Sequence, residues 1–326
     1  MKVYLPNSAY IGNIDGFLRH LDTGSPDELS ITTHDKWINV HPGVLALVAR
    51  LGMGLSPSHI HFDNITATSG HYLERMGLFR LLGVDSPYTI TEHEAAGRFV
   101  PLTVVKTQED QTRFITDMIP LLHLAPEQAD AIRYVVGELL RNVLEHARSP
   151  LGGIVAAQYY QKTNMVRVGI CDGGIGVRRS LSRAWSTAHD AEALSLALTP
   201  GITGTTRREG GSEVNAGAGL FFIKSMALVG RSYFMLYSGQ AMYKLHLRRP
   251  TKRFPTIHSD PLRDRHALRD DVPLLDGTLV AVDIALDQTL HFQELLRTIR
   301  AAYTQTVRER RERRYKRPQF ITGDNL

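Results

Sequence analysis

An α/β fold is the expectation for this 326-residue sequence, on three observations. Segments with the two-residue period of strands alternate with segments of helical period along most of the chain. Within residues 126–147, Glu138, Asn142 and His146 recur every four residues, which on an α-helix sets a carboxylate, an amide and an imidazole along one face. Val166, Val168 and Ile170 then alternate as a strand and run into Asp172-Gly173-Gly174-Ile175-Gly176, a turn where a carboxylate meets glycine-rich backbone.

In chain order, a short apolar start at 1–6, a strand at 29–33, a helix at 41–52, a strand at 59–65 and a helix at 69–83 give a βαβα pattern. In the last of these, Tyr72, Leu73, Met76, Phe79 and Leu82 hold helical spacing and Gly83 is the stop. Pro87 and Gly97 lie in a mixed polar stretch that separates a domain at 1–95 from one at 96–287. The second domain opens with a strand at 99–105 and a helix at 111–124. Pro126 starts the next helix, where its missing N–H costs nothing. Val135, Val136, Leu139, Leu140, Val143 and Leu144 surround the polar face of that helix, so it is largely buried, and its polar groups need partners. Residues 153–160 and 165–171 read as an antiparallel pair joined by a polar turn. The stretch 203–213 is rich in Gly and Thr, carries Arg207 and Arg208, lacks apolar period and reads as a mobile loop. A helix from Leu220, strands at 232–239 and 241–249, a charged surface insertion at 250–273 and a closing strand at 279–284 complete this domain. Residues 288–326 form a helical tail, where Phe292, Leu295, Leu296, Ile299, Tyr303 and Val307 make a stripe ahead of a run of arginines.

Four motifs therefore follow in order: Glu138/Asn142/His146, the Asp172 turn, Gly217-Ala218-Gly219-Leu220 opening a helix, and Asp276-Gly277-Thr278 before the closing strand. Together they resemble the GHKL (Bergerat, HATPase) ATP-binding fold over roughly residues 98–287, and the pattern is most similar to that of anti-sigma-factor serine kinases. That resemblance implies an α/β sandwich with a mixed sheet covered by helices on one face, and ATP with Mg²⁺ as cofactors. It implies that Asp172, in a turn opened by Gly174 and Gly176, reads the adenine amine, with Thr278 beside it. It implies that Gly217, Ala218, Gly219 and Leu220 cradle phosphate at a helix N-terminus. Asn142 would hold Mg²⁺, Glu138 would be the general base, and His146 would hydrogen-bond near the phosphates. The loop at 203–213 would be the ATP lid, with Thr205 contacting the nucleotide and Arg207 or Arg208 reaching the γ-phosphate. Asp63, Thr66, Thr68, Ser69 and Gly70 give the first 95 residues a resemblance to the STAS domain of anti-sigma-factor antagonists. The fourteen histidines are scattered and none sits in a long amphipathic hairpin, which argues against a self-phosphorylating histidine kinase.

Composition is that of a soluble globular protein, 43% apolar and 22% charged. The single cysteine, Cys171, excludes an intramolecular disulfide. No run of eighteen apolar residues and no signal-peptide order is seen, so the expectation is a cytoplasmic protein without a membrane segment. Residues 291–326 carry nine Lys/Arg against four acids, which matches the net charge of +5 for the whole chain and leaves the body near neutral. Such a tail is a solvated helix end or a contact for nucleic acid or an acidic partner.

Three functions are compatible with these residues. One is a regulatory serine/threonine kinase of anti-sigma type, acting on a STAS-like or other regulatory protein partner, or on Thr66, Thr68 or Ser69 of its own first domain. Another is an ATPase switch in which ATP binding drives homodimerisation or docking. The last is a nucleotide sensor without turnover whose tail binds nucleic acid or protein.

Overall fold

The computed structural model describes residues 1–63, 65–88, 99–204, 218–247, 255–287 and 292–314. The chain begins with β1 (Lys2–Leu5), α1 (Ile14–Leu18), β2 (Leu29–Thr33), α2 (Pro42–Gly52) and β3 (Ile60–Asp63), and the three strands pair in parallel in that order. Parallel strands need a crossover, and α2 supplies the one between β2 and β3. The helix expected at 69–83 is broken. Gly77 adopts φ 75°, a left-handed conformation that ends α3 (His71–Arg75) before α4 (Leu78–Leu82) begins.

A second sheet follows. Thr107 caps α5 (Gln108–Arg113) by accepting the Asp110 N–H at 3.1 Å, so this helix starts earlier than the apolar pattern indicates. β4 (Phe99–Val105) precedes it, and α6 (Pro126–Asn142) comes after it. At Val143–Ala147 α6 widens into a π-helical turn that ends on Arg148 at φ 53°. β5 (Gly153–Tyr160) and β6 (Met165–Asp172) form the expected hairpin. The remaining elements are α7 (Gly176–Leu181), α8 (Asp190–Ala197), α9 (Gly219–Val229), β7 (Phe234–Gly239), β8 (Ala241–Leu245), β9 (His266–Arg269), β10 (Leu275–Ala285) and α10 (Phe292–Arg314).

The order in this sheet is β4-β5-β6-β10-β7-β8-β9, and every pairing is antiparallel. The expected mixed sheet is thus corrected within an α/β sandwich. Helices α7, α8 and α9 connect β6 to β7, but β10 inserts between those two strands and runs against both. The insertion at 250–273 is also less irregular than expected, since it supplies the edge strand β9. Short, polar edge strands carry no apolar alternation to read.

Helices cover both faces, where one was expected. On one face, α6, α9 and α10 pack Val135, Leu139, Ile223 and Ile299 against Val168 and Val282. On the other, α2 packs Leu45 and Val48 over Ile154, Ala156, Leu279 and Ala281, joining the three-stranded layer to the large sheet in one core. Residues Pro42 to Ala49 are all buried, the signature of a helix with apolar cover all round. Contact is so close at Gly43 that a Cβ on Gly169 would lie 2.1 Å from its Cα. Each fully buried Leu or Val here contributes about 1.5–3 kcal/mol.

A polar cluster crosses this second interface. His41 Nδ1 accepts the Gly43 N–H at 2.9 Å, so its Nε2–H is the donor facing Asp283 Oδ1 at 3.1 Å. Arg167 lies 3.5 Å from the same carboxylate, and its guanidinium stacks 4.0 and 4.1 Å from the Tyr10 and Tyr160 ring centres. Burial holds His41 below the usual imidazole range despite the Asp283 charge, so the imidazole is neutral.

Candidate functional site

A cavity of about 430 Å³ opens between α6, α7, α9 and α10 above β6 and β10. That volume lies in the range of small-ligand pockets.

At one end, β6 delivers Asp172 with only 3% exposure, and the Gly174 N–H donates to its Oδ1 at 2.8 Å. Thr278 on β10 stands directly opposite in the strand register. Ser238 Oγ donates to the Gly277 carbonyl at 2.6 Å and accepts the Val177 N–H at 3.0 Å, tying the turn to the start of α7. Burial pushes the Asp172 carboxyl up to about 6, against the pull of the Gly174 N–H and the Arg50 charge. Arg50 comes from α2 on the far face and lies so close to Gly173 that a Cβ there would sit 1.7 Å from its Nε. Ile170, Val177, Leu181, Ile202 and Val280 line this end with apolar surface, suited to a flat base. Gly176 is part of the wall, whereas Gly174 packs under it, where a Cβ would meet the Ala147 carbonyl at 1.9 Å.

In the middle, Asn142 faces the N-terminus of α9. Its amide nitrogen is buried without a hydrogen-bond partner among the described residues. A side-chain amide can flip, so either its N–H₂ or its oxygen can be presented to the cavity. Ala218, Gly219 and Leu220 line the wall beside it. Ala218 makes no side-chain cap at the α9 N-terminus, so among the described residues the first-turn N–H groups have no capping side chain. Gly219 brings the backbone close to this face of α6: a Cβ there would lie 2.6 Å from Glu138 Oε2 and 3.6 Å from Asn142 Nδ2 and would displace the Glu138 carboxylate. One turn before Asn142, Glu138 contacts Arg141. Burial raises the Glu138 carboxyl and the Arg141 charge opposes that rise. His146 lies on the π-helical turn and still reaches the cavity, with Glu145 3.8 Å away; burial lowers its imidazole, leaving it neutral at pH 7.

Sequence reasoning missed the other end. Tyr134 and Phe222 meet Arg300 and Tyr303 of α10 there, so the tail helix forms a wall of the cavity. The apolar stripe indicated that α10 packs on something, but not on what. Lys224, one turn into α9, is buried in contact with Asp264 from the insertion.

Expected residues Thr205, Arg207 and Gly217 lie outside the described residues. The described start of that loop, Thr203 and Gly204, lines the cavity, and Trp185 anchors it by donating from Nε1 to the Thr203 carbonyl at 2.9 Å. Thr66, Thr68 and Ser69 belong to the layer on the opposite face of the large sheet. Their hydroxyls donate to the carbonyls of Asp35, Lys36 and Ile38 at 3.0, 3.2 and 3.1 Å.

Residues 106–229 match the family model of the histidine kinase-like ATPase domain, the GHKL type. The match spans α5 to α9 and so includes Glu138, Asn142, Asp172 and Gly219. No curated protein matches the chain. The match supports ATP binding in a regulatory setting. No described helix is long and apolar enough to cross a membrane. The cavity suits a nucleotide: an apolar slot ending on a carboxylate, then an uncapped helix N-terminus beside an unpaired amide. Among the described residues no group of three His, Cys, Asp or Glu is set to hold a metal alone, so Mg²⁺ would rely on Asn142 and phosphate oxygens.

Proposed function

We propose that the chain is a Mg·ATP-dependent regulatory phosphotransferase, a serine/threonine kinase of anti-sigma type that acts on a partner protein. The observation carrying this reading is that Glu138 lies one helical turn from Asn142 and against Gly219 at the open N-terminus of α9. In this reading Asp172 accepts the adenine amine, the α9 N–H groups bind phosphate oxygens, and Asn142 holds Mg²⁺, which neutralises charge on the phosphates. Glu138 takes the proton of the acceptor hydroxyl as the new O–P bond forms and the bond to the departing ADP breaks. Burial suits it to that role by raising its proton affinity, and its contact with Arg141 must open before it can act.

Transfer to a partner is favoured over transfer to Thr66, Thr68 or Ser69. Those hydroxyls are engaged with backbone carbonyls and have the large sheet between them and the cavity. A STAS-like regulatory protein is the partner class this reading names.

An ATPase switch is the second reading. The observation favouring it is the wall made by Arg300 and Tyr303 at the Glu138 end, which admits water more readily than a protein hydroxyl. Incubation with γ-labelled ATP separates the two. Label on protein supports the kinase, whereas free phosphate with unlabelled protein supports the switch. Glu138→Gln should slow formation of either product by about 10²–10⁴-fold while leaving ATP binding in place, and a variant that turns over normally would remove Glu138 as the base.

A further inference from the structure

We propose that Arg300, on the C-terminal helix, is a terminal-phosphate ligand that lets α10 distinguish a nucleoside triphosphate from a diphosphate. The inference rests on the reading of the cavity as a nucleotide site.

Direction along the cavity is fixed by α6. Its far end meets the Asp172 turn, where the Ile175 N–H donates to the Ala147 carbonyl at 2.7 Å. A base beside Asp172 therefore sends its phosphates back along α6, past Asn142 to Glu138 and the start of α9. The next turn of α6 toward its N-terminus carries Tyr134, and α10 closes the cavity there with Arg300 and Tyr303. In this orientation the terminal phosphate of a triphosphate is the part of the nucleotide directed at this wall.

The helix that carries Arg300 is anchored. Leu296 and Ile299 are 5% and 0% exposed, and Val307, two turns on, is 7% exposed. The Tyr303 ring lies 6.1 Å from Phe222 and 6.5 Å from Phe221, and Phe222 lies 6.3 Å from Tyr134. This aromatic cluster bridges α6, α9 and α10 and sets the height of Arg300 over the cavity. Arg300 itself is exposed and has no carboxylate partner among the described residues, so its five N–H donors can take phosphate oxygens. Its charge is close enough to act on the Tyr134 hydroxyl. Arg141, the other arginine at this end, is held by Glu138. In the described structure Arg300 is the cavity-lining arginine that no carboxylate holds. Because α10 continues into the arginine run, its grip on the nucleotide also ties the tail to the triphosphate state.

The test is calorimetric titration of the full chain with Mg·ADP and with the non-hydrolysable Mg·AMP-PNP. Arg300→Gln is compared with wild type and with Arg297→Gln, a solvent-facing charge three residues earlier on α10. The expected result is at least about a tenfold loss of AMP-PNP affinity in Arg300→Gln, the size of one charge-assisted hydrogen bond, with ADP affinity unchanged. Arg297→Gln should match wild type, and Arg300→Lys should recover part of the loss. Equal weakening for both nucleotides, or the same loss in Arg297→Gln, would overturn the proposal while leaving the nucleotide site intact. Failure of wild type to bind either nucleotide would instead overturn the reading of the cavity and the proposal with it.

Discussion

The two faces of the seven-stranded sheet bury similar apolar side chains but treat their polar groups differently. Toward the three-stranded layer, His41, Asp283, Arg167, Tyr10 and Tyr160 engage one another in a cluster closed except at Arg167 Nε, which has no hydrogen-bond partner among the described residues. Toward the cavity, Asn142 keeps an unpaired amide, the α9 N-terminus is uncapped, and Asp172 is an acid whose charge burial disfavours. A buried polar group without a partner costs about 1–3 kcal/mol, so such groups persist in a fold where a ligand completes them. Closed groups should therefore govern stability, and open ones binding.

The sharpest contrast in size lies at the buried pair of Lys224 and Asp264 on the cavity side of the sheet, closed through Asp264 Oδ2 while Oδ1 has no partner among the described residues. Asp264→Ala strands the Lys224 charge and should cost about 3–5 kcal/mol in urea denaturation. The double variant Lys224→Met/Asp264→Leu should lose less than either single change. Were it to lose as much as their sum, the pair would not be acting as a unit. At the open group Asn142, alanine should weaken Mg·ATP binding by about 100-fold, the upper end of the range for an outer-shell metal contact, and leave the denaturation midpoint nearly unchanged. A large stability loss with intact binding would reverse the assignment of the two faces.

Asp283→Asn provides the reciprocal test at the closed cluster. It should destabilise by about 1–3 kcal/mol through the weakened hydrogen bond to His41 and the lost ion pair with Arg167, with ATP affinity unaltered. The smallest expected effect is with pH. Asp172 titrates at about 6, above the usual carboxylate range, because burial disfavours its charge. A raised carboxyl stabilises the fold most when protonated, so its contribution declines as pH rises from the ordinary Asp value through about 6. The adenine amine needs the ionised form as acceptor, so ATP affinity should instead rise through the same window, by about tenfold between pH 5 and pH 7. Asp172→Asn should flatten that profile; an unchanged slope would assign the titration to another group.

Much of the cavity was legible because its residues are local in sequence. Helical period puts Glu138, Asn142 and His146 on one face and strand alternation puts Asp172 at a strand end, whereas the meeting of the two in one site was implied by the family resemblance. Thr278 followed from motif order and lies opposite Asp172 in the observed register. What was not legible depends on distant pairings. Lys224 finds its partner forty residues later, inside a stretch that reads as solvated surface. Arg300 reaches the cavity only because α10 folds back onto α6 and α9, and an apolar stripe does not name its neighbour. Hairpins report local antiparallel pairing, whereas the insertion of β10 between β6 and β7 is a property of the whole sheet. The run of buried residues in α2 signals depth, but its position on the back of that sheet was beyond a one-dimensional pattern.

The most direct measurement follows the γ-phosphate of labelled ATP with purified protein and Mg²⁺, wild type beside Glu138→Gln. The account predicts that wild type delivers label to a protein acceptor or releases it as phosphate. Glu138→Gln should lower that rate by about 10²–10⁴-fold, the range for a lost general base, while binding ATP as wild type does. Equal rates in the two proteins, or no ATP bound by either, would contradict it.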